Sequence, residues 1–288
     1  MRAVVLDADG RPSLVELPEP TGSGSLVTVR GCGLCGSDLE KLGRGGVIGH
    51  ELDGLLDDGT RVTVLHRTPC GVCARCRAGH ESTCEEFAVV RLAPGGFAER
   101  IRATEVVHLP DALPELAGVW VEPLACVVRA LEAVPRGRVL VAGCGAMGLL
   151  WVQALRARGD EVWASDPRPT RLAAAEALRA TVGGHEVDAA VLTAHAAVTE
   201  TLARLTPGGT LLVFSAAEAP TPFPLDLVYR KELHVVGSRS AARAAADRAL
   251  ELLPTFVLPE VTTFPLERFD EGVELYRSGE ALKIVFTP

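Results

Sequence analysis

Lysine is almost missing from this chain. Of its 288 residues only Lys41, Lys231 and Lys283 carry an ammonium group, and the remaining basic charge rests on arginine. Acidic residues outnumber basic ones, giving a formal net charge of −8. That balance excludes a nucleic acid or an anionic membrane surface as the main partner. The opening "MRAVVLDADG" lacks the apolar core of a secretory signal. No apolar run approaches the roughly 18 residues that a membrane-spanning helix needs. Repeats and low-complexity tracts are absent as well. The eight cysteines are therefore expected in a reducing cytoplasm, where clustered thiols bind metal more often than they form disulfides.

What is present changes character along the chain. The first third holds short β-like runs ("SLVTVR", "TRVTVL", "FAERIRA", "EVVHLP") separated by Gly, Pro and Asp. Near residue 115 a helical periodicity begins in "ELAGVWVEPLACVVRALEAV". Strand and helix patterns then alternate through "RVLVAG", "AMGLLWVQALRARG", "EVWASD" and "PTRLAAAEALRA", which predicts a parallel α/β sheet. The tail from about Thr262 reads as strand, helix, strand.

"VLVAGCGAMGLLWVQAL" sets Gly143, Gly145 and Gly148 as G-x-G-x-x-G between a strand and a helix. Gly143 permits a tight turn, Gly145 lets the backbone approach a pyrophosphate, and Gly148 lets strand and helix pack closely. Ala146 and Met147 complete the loop. Asp166, at the end of "EVWASD", can accept hydrogen bonds from an adenosine ribose and would repel a 2′-phosphate, which favours NAD over NADP. Arg168 and Arg171 pull the other way; Arg171 could equally stack on the adenine.

Cys70, Cys73, Cys76 and Cys84 follow C-x₂-C-x₂-C-x₇-C. Four thiolates on one short loop suit a closed tetrahedral zinc site with a structural role. A ferredoxin-type cluster would place its fourth cysteine sooner and follow it with proline, whereas Glu85 follows here. A second candidate set is dispersed: Cys35 in "GCGLCGSDLE", His50 and Glu51 in "VIGHELDG", and Glu122 in "WVEPLACVVRA". One thiolate, one imidazole and two carboxylates suit a catalytic zinc with an exchangeable position. Ser37, two residues after Cys35, reads equally well as a turn hydroxyl.

Taken together, "CGLCGSD", "GHE", the four-cysteine stretch, "GGFAER", "VEPLACVVRALE", "VAGCGAMG", Asp166 with Arg171, "LTPGGTLLVF" and "ALKIVFTP" resemble the zinc-dependent medium-chain dehydrogenases, in the branch of sorbitol, threonine and glucose dehydrogenases. The resemblance implies a GroES-like β-rich substrate domain over 1–115 and 261–288, with its structural zinc lobe at 70–84. It implies a doubly wound Rossmann domain over 116–260. It further implies two zinc ions per chain, one held by Cys35, His50 and either Glu51 or Glu122, and Ser37 at the start of a proton relay. The expected activity is hydride transfer between a secondary alcohol (a polyol, sugar or cyclitol) and NAD(H). The expected assembly is a homodimer or homotetramer. The alternative is a non-catalytic sensor or scaffold on the same fold, against which the retained Cys35, His50, Glu51 and Glu122 argue.

Three departures stand out. Glu40 occupies a position where the family often carries histidine, so a proton would leave through a carboxylate or directly to solvent. The stretch from Cys35 to His50 is short, which predicts a more open pocket. Finally, "TVGGHEVDAAV" follows "EALRA" where a strand and helix are normally inserted. The third strand of the parallel sheet is therefore expected to be missing or vestigial.

Overall fold

Along Ser25–Gly33 the inward residues Val27 and Val29 alternate with exposed Thr28, the period of a strand with one face on a core. This strand organises the first unit, Met1–Ala125 with Ser240–Pro288, in a computed structural model that describes residues 1–215 and 221–288. On one side Ser25–Gly33 pairs antiparallel with Glu51–Leu55, and on the other with Lys283–Thr287 and Arg100–Ala103. The sheet runs Val261–Pro265, Lys283–Thr287, Ser25–Gly33, Glu51–Leu55, Arg61–Val64, Val106–His108. The C-terminal tail thus supplies two strands to a sheet begun by the N-terminal third, and its predicted strand–helix–strand order is present. Phe286 fills the core, its ring 5.2 Å from Phe97 and 4.7 Å from Phe269.

The second unit, Cys126–Arg239, is built on a parallel sheet. Its strand order is Thr181–Val182, Glu161–Ser165, Arg138–Ala142, Val187–Leu192, Leu205–Val213, His234–Gly237. Numbered along this unit that is 3-2-1-4-5-6, the doubly wound order with its reversal beside the first strand. Val139, Leu140, Val141 and Ala142 are fully buried, as a central parallel strand requires. The third strand has shrunk to Thr181–Val182, as the sequence predicts, and no helix separates it from Val187–Leu192. The rings of Trp163 and His185 meet there, tilted by 49° with centroids 4.6 Å apart. Among the described residues, no helix is long and apolar enough to cross a membrane.

The unit boundaries differ from the expected 115/116 and 260/261. Residues 116–125 belong with the first unit because Gly118 sits against Glu51–Leu55, its N–H donating to Asp53 Oδ2 at 3.0 Å. Residues 240–260 do so too: Arg243, in the helix Arg243–Leu252, pairs with Glu105 at 3.4 Å.

Candidate active site and metal centres

A short helical turn, Gly36–Leu39, presents Cys35 at its N-cap. The Asp38 carboxylate folds back to accept the Cys35 N–H at 3.2 Å, and Ser37 Oγ donates to Cys35 Sγ at 3.4 Å. The other Asp38 oxygen accepts the Gly49 N–H at 3.0 Å, drawing the chain before His50 towards the same turn. It also stands 3.4 Å from His50 Nδ1, an ion-pair distance without hydrogen-bond alignment, so Nδ1 is a buried nitrogen with no hydrogen bond. Burial would raise the Asp38 pKa, but His50, Lys41 and the Gly49 N–H outweigh it and hold the carboxyl well below the usual range. Burial would likewise lower His50; Asp38 and then Cys35 reverse that and push it well up.

Glu51 opens the next strand directly across from Gly33. Ligand atoms of Cys35, His50 and Glu51 lie within 4.8 Å of one another. Glu122 is outside this trio. It lies in the first turn of the helix Val121–Ala130, close enough for its charge to act on Lys283. A thiolate, an imidazole and a carboxylate at this spacing form a donor set that fits zinc.

Two neighbours of the trio escaped sequence reasoning. Lys283 bonds directly to Glu51 Oε2, both side chains being almost wholly buried. Its Nζ also donates to Leu34 O at 3.4 Å and stands 5.4 Å from the Trp120 ring centroid. The only signal was a charge inside the apolar run "ALKIVF". His66 places its ring 4.3 Å from that of His50. Burial first, and the His50 charge second, push its pKa down to about 2, so it is neutral at physiological pH.

The four-cysteine stretch closes on itself. Cys70, Cys73, Cys76 and Cys84 bring their sulfurs within 4.8 Å of one another, and none of the four is in a disulfide. The Cys73 N–H points at Cys70 Sγ (3.3 Å), the Cys76 N–H at Cys73 Sγ (3.4 Å) and the Cys70 N–H at Cys84 Sγ (3.5 Å). Such donors favour thiolates; the Cys70 N–H is the main cause bringing Cys84 down to about 6.

In the second unit the three glycines of the loop have different surroundings. Gly143 has φ +100°, and a Cβ there would meet Thr193 Oγ1 at 2.6 Å. A Cβ on Gly148 would sit 1.9 Å from the Gly143 carbonyl oxygen. Gly145, the N-cap of helix Ala146–Arg158, faces open space, with nothing nearer than Arg171 Nη1 at 3.7 Å. Ala146 and Met147 begin that helix, whose N-terminus favours an anion. Asp166 Oδ2 accepts the Cys144 N–H at 2.8 Å, Oδ1 accepts the Arg168 N–H at 2.9 Å, and Arg171 stands 3.9 Å away. Thr193, which sequence reasoning did not single out, ties the loop down by donating to Gly143 O at 2.7 Å.

Comparison with known proteins places the chain among alcohol dehydrogenases. Residues 23–111 match the alcohol dehydrogenase GroES-like domain family. The chain is 32% identical to D-altritol 5-dehydrogenase of Agrobacterium fabrum over 88% of each protein. It is 27% identical to sorbitol dehydrogenase of Halalkalibacterium halodurans over 97% of this chain and 96% of that one. Galactitol-1-phosphate dehydrogenase from Escherichia coli superposes with a TM-score of 0.83 at 25% identity, covering 100% of both chains.

Proposed function

The chain belongs to the zinc-type medium-chain dehydrogenases, and on that footing we propose that it is a zinc-dependent, NAD-linked dehydrogenase of secondary alcohols in the polyol or sugar-alcohol class. The reaction in this reading moves a hydride between the carbinol carbon and the nicotinamide, and releases the hydroxyl proton. The observation that carries it is the convergence of Cys35, His50 and Glu51 within 4.8 Å, from segments separated in sequence. These three residues would hold a zinc ion, which would supply Lewis acidity towards the substrate hydroxyl.

The chain's own residues do the rest. The Asp38 carboxylate faces His50 Nδ1 at ion-pair distance, which in this reading leaves Nε2 for the metal. Ser37 passes on the substrate proton in this reading, which its hydrogen bond to Cys35 Sγ beside the metal ligands supports. Gly145 leaves room for a pyrophosphate at the start of helix Ala146–Arg158, Asp166 meets the adenosine ribose, and Arg171 flanks it. The cysteines of 70–84 would hold a second, structural zinc, a reading that the closeness of their four sulfurs supports. The polyol class is supported by the resemblance to D-altritol and sorbitol dehydrogenases.

A panel of polyols, inositols, amino alcohols and simple secondary alcohols, screened with NAD and NADP after zinc loading, tests this function. Polyol-dependent NADH formation is expected. One firmly held zinc with no turnover on any alcohol would favour a non-catalytic scaffold instead.

A further inference from the structure

The Glu51–Lys283 pair is built into the sheet. Glu51 opens one strand and Lys283 another, and both strands pair with Ser25–Gly33 from opposite sides. Gly33 lies between them, and its missing side chain lets the two charged groups meet. A Cβ at Gly33 would fall 2.5 Å from Glu51 Oε2 and 2.7 Å from Lys283 Cε. Leu34 O accepts from the ammonium, and Trp120 presents its ring to it. Burying an ammonium this deeply is unfavourable unless it is paired, and here each partner compensates the other.

This arrangement bears on the metal site. A carboxylate has two oxygens, and one of those on Glu51 already accepts from the Lys283 ammonium. We propose that Lys283 is a positioning residue of the catalytic metal site. By committing Oε2 and countering the charge of Glu51, it limits that carboxylate to a one-oxygen contact with a metal held by Cys35 and His50, and so leaves a position on the ion for substrate. The inference rests on the metal-site part of the proposed function. The fixed cation also repels a second one, so the site binds zinc less tightly than its donors alone would allow.

The test is a zinc competition titration against a chromophoric chelator, using the full chain after metal removal. It compares wild type, Lys283→Met, Lys283→Arg and the double variant Glu51→Gln/Lys283→Met, each checked for folding by thermal melting. K283M is expected to hold the zinc of the Cys35 site about tenfold or more tighter. K283R should match wild type. The double variant replaces a neutral pair by a neutral pair, and should return to the wild-type value or below. If K283M fails to fold, K283Q serves for the same comparison. The proposal is overturned if K283M stays within about twofold of wild type, or if the double variant keeps the whole gain. A wild-type chain that takes up zinc only in the four-cysteine lobe overturns the reading of the site and this inference with it.

Discussion

Asp38 Oδ1 stands 3.4 Å from His50 Nδ1, and the same oxygen accepts the Gly49 N–H at 3.0 Å. One carboxylate therefore positions the histidine and the chain entering it. Asp38→Asn removes the charge while keeping the shape. Partners of this kind are worth about 10–100-fold in metal affinity. Zinc titration of D38N should show a loss of that size at the Cys35 site and none at the four-cysteine lobe. An equal loss at both sites would mean that D38N acts through general unfolding.

Gly148→Ala tests the loop packing. Its Cβ would lie 1.9 Å from a backbone oxygen that the first strand of the parallel sheet cannot easily move. Overpacking of this kind costs about 1–3 kcal/mol. Urea unfolding should register that loss, and dinucleotide titration should register weakened binding. A G148A variant with unchanged stability and unchanged dinucleotide affinity would contradict the packing role.

Asp166→Ser addresses cofactor choice. Hydrogen bonds to a charged group are worth about 1.5–3 kcal/mol, or roughly tenfold or more in binding. D166S should lose that much affinity for NAD while gaining relative affinity for NADP, with Arg168 and Arg171 still near by. An unaltered NAD-to-NADP binding ratio would remove Asp166 from the cofactor site.

The ion pair of Arg138 with Asp188 carries a pH signature. Asp188 accepts from Arg138 Nη2 at 2.8 Å and from the Arg138 backbone N–H at 3.0 Å, joining neighbouring strands of the parallel sheet. Arg138 holds the Asp188 carboxyl below its ordinary value. The pair therefore adds stability above the unfolded value of about 3.9, and loses it as the pH falls through the lower folded value. Both side chains are about two-fifths exposed, so the effect is small, below about 1 kcal/mol. Asp188→Asn should be slightly less stable than wild type from pH 5 to 8, on the order of tenths of a kcal/mol, with the gap closing below about pH 4. A gap that persists unchanged at about pH 3.5 would count against it.

Much of this molecule was legible in the sequence because local spacing dictates it. The glycine loop, the four-cysteine closure and the two-residue edge strand Thr181–Val182 each follow from residues within a few positions of one another. The choice between Glu51 and Glu122 was not legible. It depends on which carboxylate the strand register brings beside Cys35, and the register across Gly33 brings Glu51 there. Lys283 was hidden for the same reason, since 232 positions separate it from the glutamate it meets. His66 reaches His50 only through the fold; on the sequence it is an ordinary residue after a strand.

Metal analysis of wild type beside Cys35→Ser tests the central claim most directly. Two sets of candidate ligands converge within one chain, so on the proposed reading wild type should carry two zinc ions and C35S one, held by the four-cysteine lobe. Equal zinc content in the two proteins would contradict a metal at Cys35, and with it the dehydrogenase mechanism.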